Sequence, residues 1–528
     1  MGNEAAIGAR LTSSQPALAA VLQLAPGVEV RSTGTMRLND DWRLPDTTQR
    51  TGAAAMTLTL RAAGDLTIGQ TLSDGFSAST TPTASAVLSG AGANLRLIGG
   101  ADLNAADPRT TFTSTTAGDV VIGRAAASPS AQPPAVLVRS TTGQIEVAAA
   151  RDVRLLNNAA RIYTTGRAIS SATLPEWSRV SLAPNQVLRD TAGNAVGPFF
   201  TGAGSITLTA GRDVLGSPTR QFVTDWWWRQ ASINAPGTPA AWWSRYDQFQ
   251  QGVASFGGGD IAVRAGRDVV DFEASTPASG YSLRAVTGSD GSLLPAAAFV
   301  LPGGELSVVA GRDIVSGLLY GGGDSGRAIA GAEIRPAANT GLGLSHPGLQ
   351  LFYGGTDWTL QAGGELTLGH LSNPALLAGV VQASGQARLD VVTGLDNGAS
   401  LTVSSAAGDV LWSGRRTALS PPTDPRNSVS DLTRQAPGDL RLLAPSGDVR
   451  VTTPILQRPA GDGRLQVLAA GEVALSSMTV GATTPAAGAQ PQARITAESA
   501  LVRDWNRTTQ AEPGLDTGSR APVRLGPA

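Results

Sequence analysis

Apolar and polar residues alternate with a period of two in many short stretches of this chain. In GSITLTAGRDVLG, starting at Gly204, Ile206 and Leu208 alternate with Thr207 and Thr209, and Val214 restarts the apolar register after Ala210-Gly211-Arg212-Asp213. Such alternation predicts a half-buried β-strand. The Ala-Gly-Arg-Asp step is turn chemistry, because glycine accepts positive φ and a short aspartate side chain bonds the local backbone. The unit returns as GGDIAVRAGRDVVD from Gly258, GGELSVVAGRDIVSG from Gly303 and GTDWTLQAGGELTLG from Gly355. Looser copies begin at Met56, Gly143, Ala399, Pro437 and Gly463, and half-copies at Asn94 and Ala117.

A short strand, a turn and a second strand cannot bury an apolar face alone. Stacked in parallel about 4.8 Å apart, such units bury a continuous column of Val, Leu and Ile. The predicted fold is therefore all-β, a β-solenoid with irregular loop and short helical insertions. A β-propeller is the main rival, but its blades repeat more evenly, at about 40–50 residues. The turn acids Asp152, Asp213, Asp268, Asp313, Glu365, Asp409, Asp448 and Glu472 are unevenly spaced, so insertions are expected at 125–134, 174–198, 220–257, 324–349 and 415–437. Val214, Val269 and Ile314 are expected to point inward, and Asp213, Asp268 and Asp313 to sit in turns near the surface. Arg212, Arg267 and Arg312 share one repeat position and would form a line beside these acids. Exposed pairs of that kind contribute about 0–1 kcal/mol, which suits register and solubility more than ligand binding.

Composition narrows the chemistry. Glycine is 64 of 528 residues and charged residues only 15%, which excludes a coiled coil or helical bundle, while 41% hydrophobic residues suffice for a core. There is no cysteine, hence no disulfide, thiolate zinc site, iron–sulfur cluster or thiol nucleophile. All 40 basic residues are arginine, which removes the phosphate-loop lysine and Schiff-base catalysis. Two histidines, His346 and His370, cannot build a three-histidine metal site. A net charge of -1 offers no field for nucleic acid, and no apolar run approaches the roughly 20 residues of a membrane span.

The repeated Gly-x-Leu-x-Val-x-Ala-Gly-x-Asp unit resembles the filamentous haemagglutinin family, the exoproteins of bacterial two-partner secretion. The likeness runs from about Pro26 to Val502. It is strengthened by PGVEVRSTGTMRLNDDWRL from Pro26, LTLRAAGDLTIGQTLSDGF from Leu58 and RYDQFQQGVASFGGGDI from Arg245. The resemblance implies a right-handed parallel β-helix over 26–502, extracellular or held at the cell surface outside an outer membrane. It also implies export through a partner outer-membrane transporter, and a role in adhesion, haemagglutination, biofilm growth or toxin delivery. No secretory signal and no Asn-Pro-Asn-Gly motif is visible. The chain therefore reads as an internal or C-terminal-region fragment of an exoprotein, expected to stay inside the cell when expressed alone. Residues 1–25 read as poorly structured or a short helix, and 503–528 as a flexible polar tail.

The segment 222–256 carries five of the ten tryptophans: Trp226, Trp227, Trp228, Trp242 and Trp243. Thr238 and Pro239 read as the start of a helix over about 240–251, on which Trp242, Tyr246, Phe249 and Val253 form one stripe. The favoured reading packs these rings on the side of the solenoid as a satellite core. The alternative is an exposed platform of Trp226, Trp227, Trp228, Trp242, Trp243 and Tyr246 for host or bacterial surface glycans, or for a partner protein.

The function that the resemblance implies is that of a non-enzymatic, surface-exposed or secreted structural protein, part of an adhesin stalk. Its rival is a carbohydrate-active β-helix enzyme, a polysaccharide hydrolase or lyase with paired carboxylates. Asp40-Asp41 is the adjacent carboxylate pair, read here as a turn. The two histidines read as surface residues, and the turn acids lack the Gly-Gly-x-Gly-x-Asp calcium repeat. No catalytic, cofactor-binding or metal-binding residue is assigned. A third possibility is a self-assembling scaffold of a biofilm matrix.

Overall fold

Alternation translates directly into strands. In Ile206–Ala210 the side chains of Ile206, Leu208 and Ala210 are buried, and those of Thr207 and Thr209 face water. Ile261–Ala265 and Leu306–Ala310 follow the same pattern. These strands pair in parallel and in register. Ile206 lies opposite Ile145 on one side and Ile261 on the other, and Ile261 lies opposite Leu306. The computed structural model describes residues 9–10, 13, 27–44, 56–77, 86–113, 116–128, 130–170, 173–174, 199–218, 221, 223–230, 240–283, 285–295, 297–337, 348–372, 399–413, 435–452, 455–457, 464–475 and 478–480. Over these residues the chain is nearly all β. The expectations for residues 1–25 and 503–528 fall almost wholly outside them.

One parallel sheet has 12 strands and runs in chain order from Gly27–Ser32 to Arg464–Ala469. A 20-stranded sheet holds two more parallel series. The second series follows the turn of each repeat and includes Val214–Leu215, Val269–Val270 and Ile314–Val315, paired in register. The third includes Ala160–Thr164, Gly252–Ser255, Glu273–Thr276 and Gly317–Gly321. The two series meet in Leu366–Ser372, which pairs with Ile334–Arg335 and Val410–Trp412 in one and with Leu349–Phe352 in the other. The strands contributed by one repeat form a tier.

A single large apolar cluster gathers the inward columns of all three series. Val214, Val269 and Ile314 lie in it, as expected. The third series differs, because its strands are buried on both faces. Val138, Ile162, Val253 and Leu319 face the main cluster, while Leu137, Tyr163, Ala254 and Tyr320 face a second, aromatic cluster. That second covering erases the polar alternation these strands would show if one face were wet.

The last inward position before each turn is small: Ala210, Ala265, Ala310, Ala330 and Ala362. The glycines that follow them also stack. Gly266 donates its N–H to Ala210 O at 3.0 Å, and a Cβ added to Gly266 would lie 2.2 Å from Gly211 O. The same close approach recurs at Gly311 above Gly266 and at Gly331 above Gly311. The turn glycine is thus required by backbone proximity between tiers. Gly266→Ala is expected to cost about 1–3 kcal/mol through overpacking, read as a lower midpoint in urea. An unchanged midpoint would contradict the close approach.

Two sequence expectations are corrected. The region 324–349 is not only an insertion: Ser325–Ala330 and Ile334–Arg335 form a full tier in both main series. Gly326 stands where the tiers on either side carry Leu306 and Trp358, and this hides the alternation. Nor do residues 240–251 form a helix. Ala240–Ser244 is a strand, and among the described residues of this region the helix is the four-residue Val223–Trp226. The insertion also pairs with strands that come later in the chain. Trp227–Gln230 and Ala240–Ser244 join Ser279–Leu283 and Ala297–Leu301 in a four-stranded antiparallel sheet. No helix of the described residues is long and apolar enough to cross a membrane.

Candidate functional site

Two constellations stand out: the aromatic side sheet and a ladder of turn acids and arginines. In the side sheet, adjacent residues of one strand point to opposite faces. Trp242 accordingly packs in the second cluster with Trp226, Trp227, Tyr246, Phe249 and Phe256, while Trp243 packs in a third with Phe199, Tyr281 and Leu283. Trp226, Trp227, Trp242, Trp243 and Tyr246 are each 2% exposed or less. Both faces of Ala240–Ser244 are buried, so its residues meet a helical stripe and a strand pattern equally well. The backbone of Trp228 pairs with that of Trp243; its side chain, like Phe222, lies outside the described residues. The five described rings line no exposed platform.

The rings meet edge to face. Trp226 lies 5.6 Å from Phe249 and 5.8 Å from Phe256 between ring centroids, and Phe200 lies 5.6 Å from Tyr246. Such pairs add to the area they bury. Burial pushes the Tyr246 phenol well above its ordinary range. Beneath these rings Arg139, itself buried, donates to Ser73 Oγ and Tyr163 OH, both at 2.8 Å, with its guanidinium 4.0 Å from the Phe76 ring centroid. Both ends of the insertion are tied to one buried carboxylate. Gln221 Nε2 donates to Glu273 Oε2 at 2.6 Å, and Gln251 Nε2 to Glu273 Oε1 at 3.1 Å. Sequence reasoning missed this clasp, whose partners lie 22 and 52 residues from Glu273.

The ladder is built one tier at a time. Asp213, Asp268 and Asp313 sit in the turns, as expected, but they are only 5%, 7% and 8% exposed rather than at the surface. What covers them is the arginine of the following tier. Arg267 grips Asp213 with Nε and Nη2, and Arg312 grips Asp268 in the same way. Arg212 grips Asp152, and Arg151 grips Asp119 through bonds of 2.6 and 2.5 Å. Each carboxylate also accepts a backbone N–H from the next tier: Asp213 N to Asp152 at 3.2 Å, Asp268 N to Asp213 at 3.1 Å and Asp313 N to Asp268 at 3.2 Å. Each arginine lies farther from its own tier's acid, at 3.6 to 4.0 Å. The aligned repeat position showed that a line of arginines would form. It did not show that each reaches back across a tier, since that depends on register.

Protonation follows from these contacts. Burial alone would raise Asp119 and Asp268, and this is the largest influence on each. The arginine and the backbone N–H together outweigh it and hold both below the usual carboxylate range. At the N-terminal end of the 12-stranded sheet, hydrogen bonds from Arg31 and then Arg61 bring Glu29 down to about 2. Groups more acidic folded than unfolded contribute stability that is complete above the unfolded carboxylate value, about 4, and is lost as pH falls through the folded value. The urea midpoint is therefore expected to hold between about pH 7 and 5 and to fall steadily below about pH 4. A midpoint that stays level down to about pH 2.5 would refute the ladder's electrostatic role.

The remaining candidates have ordinary partners. Asp41 accepts the backbone N–H of Thr71 at 3.0 Å, the role of a turn residue. His370 lies on Leu366–Ser372, its ring 5.9 Å from that of Phe352. His346 lies outside the described residues. Among the described residues no group of three or more His, Asp or Glu side chains is arranged to hold a metal ion. Compared with known proteins, the chain matches no family model, no curated protein and no solved structure.

Proposed function

We propose that the chain is a non-enzymatic structural protein, a right-handed parallel β-helix serving as part of a filamentous haemagglutinin-like adhesin stalk at the cell surface. The observation that carries this reading is the ladder. In five successive links, from Asp119 to Glu333, the carboxylate of one tier accepts the backbone N–H of the next. Such links join nearest neighbours only, so they stabilise a rod of any length. Twelve strands at about 4.8 Å spacing correspond to a rod of roughly 50 Å. The ladder's carboxylates are engaged by arginine and backbone, the arrangement of a scaffold rather than of a hydrolytic pair. Trp226, Trp227, Trp242 and Trp243 serve packing, so adhesive contacts would come from the outer faces of the tiers. In this role the stalk holds contacts to host or bacterial surface glycans or proteins away from the membrane. Its longer parent would leave the cell through a partner outer-membrane transporter.

Beads coated with the purified chain and with an unrelated β-rich protein of equal charge test the proposal. The chain-coated beads should adhere more strongly to host-cell or bacterial monolayers. Equal adhesion of the two removes the adhesin reading. Release of reducing or unsaturated ends from a polysaccharide panel would establish the carbohydrate-active enzyme in its place.

A further inference from the structure

Among the described residues every interior tier is covered on both sides, and the two terminal tiers are covered on one. Among the described residues no strand pairs with the outer edge of Gly27–Ser32 or of Arg464–Ala469, the two ends of the 12-stranded sheet. Apolar side chains are wet at these ends. Val28 is 48% and Val30 37% exposed at one end, and at the other the inward Leu465 and Val467 are only partly buried. The residues only partly buried against the main core are Met36, Leu38, Trp42 and Met56 toward the first end and Leu465, Val467, Ala469 and Val473 at the second. An open edge backed by an open core end invites pairing with another chain.

The two ends match each other. Parallel register runs unbroken along the sheet, so the columns of the last tier continue those of the first. Leu465 stands in the column of Leu440 and Leu401, and Val28 in that of Leu58 and Leu95. Laid on the last tier in the same register, the first tier of a second copy sets Val28 over Leu465, Val30 over Val467 and Met36 over Val473. Charge agrees as well. Within the chain, Arg335 occupies the second position after the turn acid and reaches back one tier to Asp313, at 3.1 Å. Arg37 holds the same column in the first tier, two positions after Thr35, and is exposed. Glu472 holds the acid column in the last tier; its side chain accepts a bond from Arg450 Nε of its own chain at 3.3 Å and is still 62% exposed. A stacked second copy therefore brings its Arg37 to Glu472 as Arg335 comes to Asp313.

We infer that the two ends are complementary docking faces for a second copy of this chain, which stacks head to tail with Arg37 paired to Glu472 across the junction. Such a contact is heterologous and does not close on itself, so it yields open filaments whose length depends on concentration. The inference rests on pairing register and exposed ends, and stands apart from the adhesin reading.

Sedimentation velocity of the full 528-residue chain over a wide concentration range tests it. Wild type is expected to show a weight-average mass that climbs with concentration. Arg37→Glu and Glu472→Arg each place like charges at the junction, which weakens association by at least about tenfold. An equimolar mixture of the two single variants restores an opposite pair at every junction, and the Arg37→Glu/Glu472→Arg double variant does the same within one chain. Both are expected to regain association. The Arg37→Glu melt should match wild type; Glu472→Arg also loses the in-chain pair with Arg450, so Glu472→Gln, which loses that pair without placing like charges at the junction, is its folding control. A wild type that stays monomeric at every concentration overturns the inference, as does association unmoved by either reversal.

Discussion

Trp242→Ala is expected to lower the unfolding free energy by about 3–5 kcal/mol, the usual cost of emptying a buried tryptophan site, and to leave glycan binding as it was. The ring is buried in the aromatic cluster over the third strand series, with Trp226, Tyr246 and Phe249. The site cannot collapse easily, because the neighbouring strand is already at closest approach. Gly280 lies opposite Trp242, and a Cβ there would sit 3.1 Å from Trp242 Cζ2. Losing the ring also loosens Ala240–Ser244, which joins the first half of the side sheet to Ser279–Leu283. One term works the other way. The Trp242 indole N–H has no partner among the described residues, so Trp242→Phe should be milder than the alanine change. Urea melts of the three proteins beside a glycan-array comparison decide the matter. A melt moved by less than about 0.5 kcal/mol, together with lost binding, would restore the exposed platform.

That region also marks how far the sequence could be read. Strands whose outer face is wet were legible, because Ile206 and Leu208 alternate with water-facing Thr207 and Thr209. The turn acids were legible as turn residues, since glycine and a short acid between two apolar registers are turn chemistry. Their burial was not, because the covering arginine comes from the next tier, 54 residues away for Arg267 and Asp213. Where both faces of a strand are buried, periodicity stops distinguishing strand from helix. Trp242 and Tyr246 satisfy a helical spacing, yet Trp242 and Trp243 serve two different clusters from one strand. The side sheet's second half, Ser279–Leu283 and Ala297–Leu301, could not be tied to the first, because that pairing is set by where the third series delivers the chain. The Glu273 clasp has the same origin.

The tier from Ser325 to Arg335 escaped notice for a reason that supplies the other large prediction. In the first inward column, Leu306 is followed by Gly326, then Trp358, then Leu401. The glycine and the tryptophan form a matched pair. A Cβ on Gly326 would lie 2.7 Å from Trp358 Cδ2 and Cε2, so the indole fills the space that a side chain on Gly326 would take. Trp358→Ala should therefore cost about 3–5 kcal/mol, and Gly326→Val alone about 1–3 kcal/mol by overpacking. Gly326→Val/Trp358→Leu rebuilds the column as four aliphatic residues and removes an indole N–H that is buried without a partner among the described residues. It also replaces a strand glycine, whose backbone freedom in the unfolded chain costs about 0.5–1 kcal/mol. The double variant should then be more stable than the sum of Gly326→Val and Trp358→Leu predicts, by about 0.5–3 kcal/mol of coupling. Urea melts of the four proteins in this cycle measure that coupling directly. Strict additivity would mean that the ring does not occupy the glycine's space, and that the register between these two tiers is not the one described.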